Sequence, residues 1–186
     1  MSKLRNIKVL TTVAMLIAIS IIAGFFKIPL TIFSEIRFSS LPIAASGILF
    51  GPGIGGIVGA LSDIGGYIVK PTGPFFPGFT ISSALSGVIF GLLLYRGGSS
   101  RLQRIPFYLR VFIAELLHTI IIGLLLNSLW LSILYGNAFL LVAGGRVIKE
   151  LIMLPINTIL LCLVSKPVVG SYKRFFSEND KQQHPI

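Results

Sequence analysis

Six apolar runs, separated by short polar or glycine- and proline-rich pieces, fill most of the chain from residue 9 to residue 165. They cover about residues 9–26, 39–50, 54–69, 79–95, 107–126 and 138–165. A bilayer core takes about 20 apolar residues in a helix, so most of these runs are spans, while 39–50 predicts a short or tilted helix. The pattern predicts an all-α membrane protein of six transmembrane helices in a single domain over residues 1–186, ending in a basic tail from 166 to 186.

Composition agrees. Of 186 residues, 54% are hydrophobic and 12% charged, and the mean hydropathy is +0.90, far from a soluble domain. The net charge of +10 is divided among segments between the apolar runs instead of being gathered on one face, which argues against nucleic acid and for topology signals. The basic amino terminus, the loop with Arg96, Arg101 and Arg104, and the tail with Lys173, Arg174 and Lys181 are then cytoplasmic. Both termini fall on that side. The loops at 27–36, 70–78 and 127–137 share the outer face, so a ligand cavity open to the outside is expected. A lone cysteine, Cys162, excludes an intrachain disulfide and a cysteine-based metal site. The first run follows Lys3, Arg5 and Lys8 as a signal peptide would, yet lacks a small-x-small cleavage pattern, and reads as a retained helix.

Chemistry enters where polar residues interrupt the runs. Gly55, Gly59 and Asp63 recur at four-residue intervals on one helical face, and Ser83, Gly87 and Gly91 make a second small-residue stripe against which the first can pack closely. Asp63 carries a carboxylate into the membrane at a cost of about 2.5 to 3.5 kcal/mol on insertion scales, so it must either tie a neighbouring helix or meet a ligand. Glu115 and His118 stand three apart, as a helix-joining pair or as part of a proton path. In the last run Arg146, Lys149 and Glu150 place two cations beside one anion, a surplus that wants a further anion. The loop Pro71-Thr72-Gly73-Pro74-Phe75-Phe76-Pro77-Gly78-Phe79-Thr80 is stiffened by prolines and rich in flat apolar rings, as an interfacial loop or as a lid over a planar ligand. Trp130 and Tyr135, after Asn127, read as interfacial belt aromatics or as further stacking surfaces.

With these features in hand the sequence resembles the substrate-binding S components of energy-coupling factor vitamin transporters, and most of all their folate-specific members. The resemblance spans about residues 8–165 and rests on Ala14-x-x-x-Ala18, Leu41-Pro42-Ile43, Leu49-Phe50-Gly51-Pro52-x-x-Gly55, Asp63-Ile64-Gly65, the Gly73 to Thr80 segment and Asn127-Ser128-Leu129-Trp130-Leu131. The last two point to folate, with Ser128 a conservative departure from the threonine of the family pattern. It implies a six-helix bundle that captures vitamin outside and docks, through Ala14 and Ala18, onto a membrane coupling subunit, EcfT, driven by two cytoplasmic ATPases. The chain has no phosphate-binding Gly-x-x-x-x-Gly-Lys-Ser/Thr pattern, so it is read as no enzyme and as needing no cofactor.

Folate joins a flat pterin, an aromatic linker and a glutamate with two carboxylates. Phe75, Phe76, Trp130 and Tyr135 can stack on its rings, Asp63 or Glu150 can accept paired pterin N–H groups, and Arg37, Lys70, Arg146 and Lys149 can meet the carboxylates. Two alternatives stand beside this: riboflavin or another flat vitamin on the same scaffold, and a stand-alone proton-coupled transporter using Asp63, Glu115 and His118. A membrane enzyme finds no motif to support it.

Overall fold

The structure, a computed structural model, describes residues 7–31, 34–71, 73–95 and 105–183; the side chains of 27–37 and most of those beyond 165 lie outside that description. Each apolar run forms a helix: α1 (Ile7–Phe25), α2 (Ser40–Phe50), α3 (Pro52–Val69), α4 (Pro77–Leu94), α5 (Phe107–Tyr135) and α6 (Phe139–Gln183). Proline opens α3 and α4, where an amide has no intrahelical partner to lose. Gly51, with φ +93°, turns the chain sharply between α2 and α3, and Gly136, at φ +68°, does the same between α5 and α6. Five of the helices are long and apolar enough to cross a membrane and α2 is a shorter apolar helix, so the chain is a multi-pass membrane protein.

Three segments differ from the sequence reading. The piece between α1 and α2, expected as a loop, is an antiparallel hairpin of β1 (Lys27–Thr31) and β2 (Ser34–Arg37), with Ile28 opposite Ile36. Helix α5 does not stop at 126 but runs on to Tyr135, and its middle, Thr119–Leu126, is π-helical. Helix α6 passes through Pro155 and Pro167 as far as Gln183, beyond the expected end at 165. Arg110, near the start of the fifth apolar run, is buried on α5, where its guanidinium donates to the Leu93 carbonyl at 2.7 and 3.0 Å and satisfies the last turn of α4. The basic loop, 96–104, lies outside the described residues.

Packing divides the bundle lengthwise. Away from the hairpin, Ala44, Ile48, Phe90, Leu94, Val111, Ala114 and Leu161 close α2, α4, α5 and α6 together, and Val9, Val13, Ile43, Phe50, Ile54 and Val58 join α1 to α2 and α3. Leu10, Met15, Ile19, Ile57, Leu61, Ile148 and Leu151 are exposed, as residues facing lipid are. The α3 and α4 stripes meet as expected: a Cβ on Gly87 would run into the Gly55 carbonyl, one on Gly59 into the Ser83 carbonyl, and one on Gly91 into the Pro52 backbone. Gly47 of α2 also comes near α4, its Cβ position 2.8 Å from the Gly91 nitrogen. Only glycine lets backbones approach so closely. Toward the hairpin end the helices part and enclose a cavity.

Candidate functional site

The glycine seam leads to the cavity. One helical turn past Gly59, Asp63 accepts a hydrogen bond from Thr80 Oγ1 at 2.7 Å and a long one from Ser83 Oγ at 3.5 Å. Both hydroxyls belong to α4, so Asp63 is the tie between helices that its place in the membrane demands. It also lines the cavity. A carboxylate offers about four acceptor positions, and two hydroxyl donors leave the others for a ligand.

The cavity has a volume of about 360 Å³, within the range of small-molecule sites. Around its hairpin end stand Phe25, Tyr67, Phe75, Phe76, Phe79 and Tyr135, with Lys70 among them. The rings brace one another: Tyr67 and Phe75 lie 5.1 Å apart between centroids, and Phe76 touches Phe79 at 6.0 Å and Trp130 at 5.6 Å. Gly73, at φ +114°, makes the turn that presents these phenylalanines, and Gly78 leaves the space in which Phe76 and Trp130 approach. The Lys70 ammonium sits 5.9 Å from the Phe25 ring centre, a cation–π contact at the rim.

Across from Asp63 stand the charges of α6. Lys149 Nζ donates to Glu150 Oε1 at 2.8 Å, while Arg146 approaches the same oxygen at 3.5 Å. Helix spacing alone favours Arg146 and Glu150, four apart, yet the adjacent lysine makes the shorter contact, because Arg146 Nε is engaged by the Gly123 carbonyl at 3.2 Å. Gly123 lies in the π-helical stretch of α5, and a Cβ there would stand 2.7 Å from the Glu150 carboxyl carbon. Wide π-turns recur at functional positions, and this one is where α5 faces the charged cluster.

The deep end is polar without being strongly charged. His118 Nε2 lies 3.1 Å from Ser86 Oγ, and Ser86 donates to the Ser82 carbonyl at 2.9 Å, so the imidazole N–H donates to the serine oxygen. Its other nitrogen faces buried Glu115 at 3.8 Å, and the ring packs on Phe90 at 5.1 Å. Histidine therefore joins α5 to α4, and Glu115 stands behind it on the same helix. Asn127 and Asn157 also line the cavity, and the side-chain oxygen of each is buried with no partner among the described residues. Among these residues no three His, Cys, Asp or Glu side chains gather as metal ligands.

The cavity wall thus collects Asp63, Lys70, Phe75, Phe76, Asn127, Tyr135, Arg146, Lys149 and Glu150 from the sequence-predicted set. Trp130 stands one layer back, against Phe76, its indole N–H donating to Ser82 Oγ at 3.0 Å. The Arg37 side chain lies outside the described residues. Sequence reasoning passed over Tyr67, Ser82, Ser86 and Asn157 on the wall. Of these only Asn157, an amide within an apolar run, carries a visible signal. Ala14 and Ala18 are exposed on α1, away from the cavity and free of the bundle's own packing.

Comparison with known proteins places this architecture. Residues 8–165 match the family model of the ECF transporter substrate-specific component. The folate transporter FolT of Clostridium novyi (strain NT) is 35% identical over 158 residues, covering 85% of this chain and 88% of that protein. FolT of Leuconostoc mesenteroides is 28% identical over 171 residues, covering 88% and 89%. A crystal structure of FolT bound with folic acid superposes with a TM-score of 0.76 at 32% identity, over 87% of this chain and 95% of that one. The S component of a bacterial ECF transporter shares the fold, with a TM-score of 0.62 at 22% identity over 89% and 98%. By the extent of the family match and by its identity to these relatives, the chain belongs to the substrate-specific S components of ECF transporters.

Proposed function

We propose that the chain is the folate-binding subunit of an ECF-type importer, capturing folate from outside the cell and delivering it through a membrane coupling subunit driven by separate ATPases. One observation carries this reading: a single cavity has an aromatic rim, a carboxylate with unused acceptor positions and a surplus of positive charge, matching the three parts of folate. Phe75, Phe76 and Tyr135 take the flat rings, each good aromatic contact adding about 0.5 to 1.5 kcal/mol beyond area burial. Trp130 holds Phe76 in place from behind. Asp63 accepts pterin N–H groups, and Asn127 offers a further amide on the wall of the same cavity. Lys70 at the rim, and Arg146 and Lys149 within, supply the field for the glutamate carboxylates, a role the sequence also assigns to Arg37. The identity to two FolT proteins supports folate over other flat vitamins. Riboflavin carries no carboxylate to meet that field.

The exposed faces fit the remainder of the reading. Ala14 and Ala18, beside Met15 and Ile19, present a flat apolar strip that a helix of the coupling subunit can approach closely. Both termini are cytoplasmic in this scheme, and the hairpin and phenylalanine loop face outward. Titration calorimetry of the detergent-purified, ligand-free chain with folate, with riboflavin as control, tests the claim. Tight folate binding without a riboflavin response is expected; a folded preparation that ignores folate overturns the specificity.

A further inference from the structure

Helix α3 is rich in glycine, and four of its glycines answer to a neighbour in the fold. A Cβ on Gly55 would stand 2.6 Å from the Gly87 carbonyl oxygen, one on Gly56 3.0 Å from Val88 Cγ2, and one on Gly59 would run into the Ser83 carbonyl, so these three admit α4. Gly65 admits Ile21 of α1, whose Cδ1 lies 2.6 Å from the place of its Cβ. Gly66, on the cavity wall, is different. Apart from its own helix, nothing among the described residues lies within 4 Å of the position its Cβ would take. Nor does its backbone call for glycine: it sits well inside α3, without the positive φ of Gly51, Gly73 or Gly136. Glycine there costs helix stability relative to alanine and gains no packing in return.

The space it leaves belongs to the cavity. At about 100° per residue, Ser62, Asp63, Gly66, Tyr67 and Lys70 form one stripe of α3, all on the cavity wall, with Gly66 near the middle. The exposed Leu61, Ile64 and Ile68 occupy the opposite side, so a Cβ on Gly66 would point into the cavity. Along the helix Gly66 lies about 4.5 Å past Asp63 and about 6 Å short of Lys70. A ligand that reaches both the carboxylate and the ammonium crosses bare backbone on the way.

We propose that Gly66 is a specificity-determining residue of the folate site: its bare backbone is the surface on which the flat ring system of the ligand lies, as α4 lies on Gly59 lower in the same helix. This deepens the folate reading and rests on it. A methyl group at Gly66 lifts the ring off the helix and away from Asp63, in a contact too close to absorb the extra volume.

The test is Gly66→Ala, with two readings on the purified chain in detergent: folate affinity by calorimetry and the midpoint of thermal unfolding. Affinity should fall about tenfold while the midpoint stays at or above that of wild type, because alanine is the better helix former and enters open space. Gly144→Ala is the control. Gly144 lies within α6, off the cavity wall, and its Cβ would likewise meet nothing within 4 Å among the described residues. That variant should gain the same helix stability and bind folate as wild type does. Unchanged folate affinity in Gly66→Ala overturns the inference. So does a lowered midpoint or a failure to fold, since the space at Gly66 would then be the chain's own, and so does an equal loss of affinity in Gly144→Ala. A folded wild-type chain that ignores folate takes down the folate reading itself, a result distinct from tight wild-type binding that Gly66→Ala leaves unmoved.

Discussion

Along the α3 and α4 seam Gly55, Gly59, Gly87 and Gly91 let one backbone lie directly on another, whereas between α5 and α6 Gly123 makes room for a carboxylate and lends its carbonyl to an arginine. The residue type is the same and its use is different. In the first seam the missing side chain is filled by main chain, which cannot retreat. In the second it is filled by the tip of Glu150, which can turn. The first seam carries Asp63, Phe75 and Phe76 to the cavity on a fixed base; the second presents Arg146, Lys149 and Glu150 from a base that can adjust.

Substitutions that add volume sharpen this contrast. Gly87→Val forces α3 and α4 apart, and its expected cost is about 3 kcal/mol or more, read as a lowered unfolding midpoint of the purified chain in detergent together with loss of ligand binding. A variant as stable as wild type would mean that the helices do not touch through their backbones. Gly123→Ala should cost about 1 kcal/mol, since only a side-chain tip has to move, while displacing Glu150 from its berth and changing folate affinity several-fold. Should it prove as damaging as Gly87→Val, the two seams are equally rigid and the comparison fails. The smallest effect belongs to Trp130→Phe, at the link between the halves. It keeps a ring against Phe76 and removes the hydrogen bond to Ser82, for about 1 kcal/mol or less of stability. Calorimetry should find folate affinity within about threefold of wild type, and a much larger loss would move Trp130 onto the ligand.

Much of the rigid half was legible in the residues. Four-residue spacing of Gly55, Gly59 and Asp63 against Ser83, Gly87 and Gly91 defines two matching faces, and Asp63 ties the helices as read, on the wall of the cavity. The adjustable half was harder to read. Nothing in Thr119–Leu126 announces a π-helix, the stretch in which Gly123 meets Arg146 and Glu150 of α6. The polar residues from Asn127 to Tyr135 suggested a loop because hydropathy averages over all faces, whereas here the helix continues with Asn127, Leu131 and Tyr135 turned to the cavity. Serines were overlooked for a related reason. Ser82 and Ser86 are nearly neutral on any hydropathy scale, and their role comes from Trp130 and His118, distant in sequence and adjacent in space. The basic, polar composition from residue 166 onward suggested a helix end, yet the helix continues through Pro167, whose one missing amide does not outweigh the helix-forming residues that follow.

The bareness of the α3 and α4 contact has an entropic side. Joining two helices through leucines freezes rotamers on both, a loss of about 0.5 to 1 kcal/mol for each buried side chain. Glycine has no rotamers to freeze, so the attraction between these helices is not discounted in that way. By the same token the seam has no movable parts through which it could answer a ligand. The glycine seam is thus a fixed frame, and adjustment to a ligand falls to the side chains that surround the cavity.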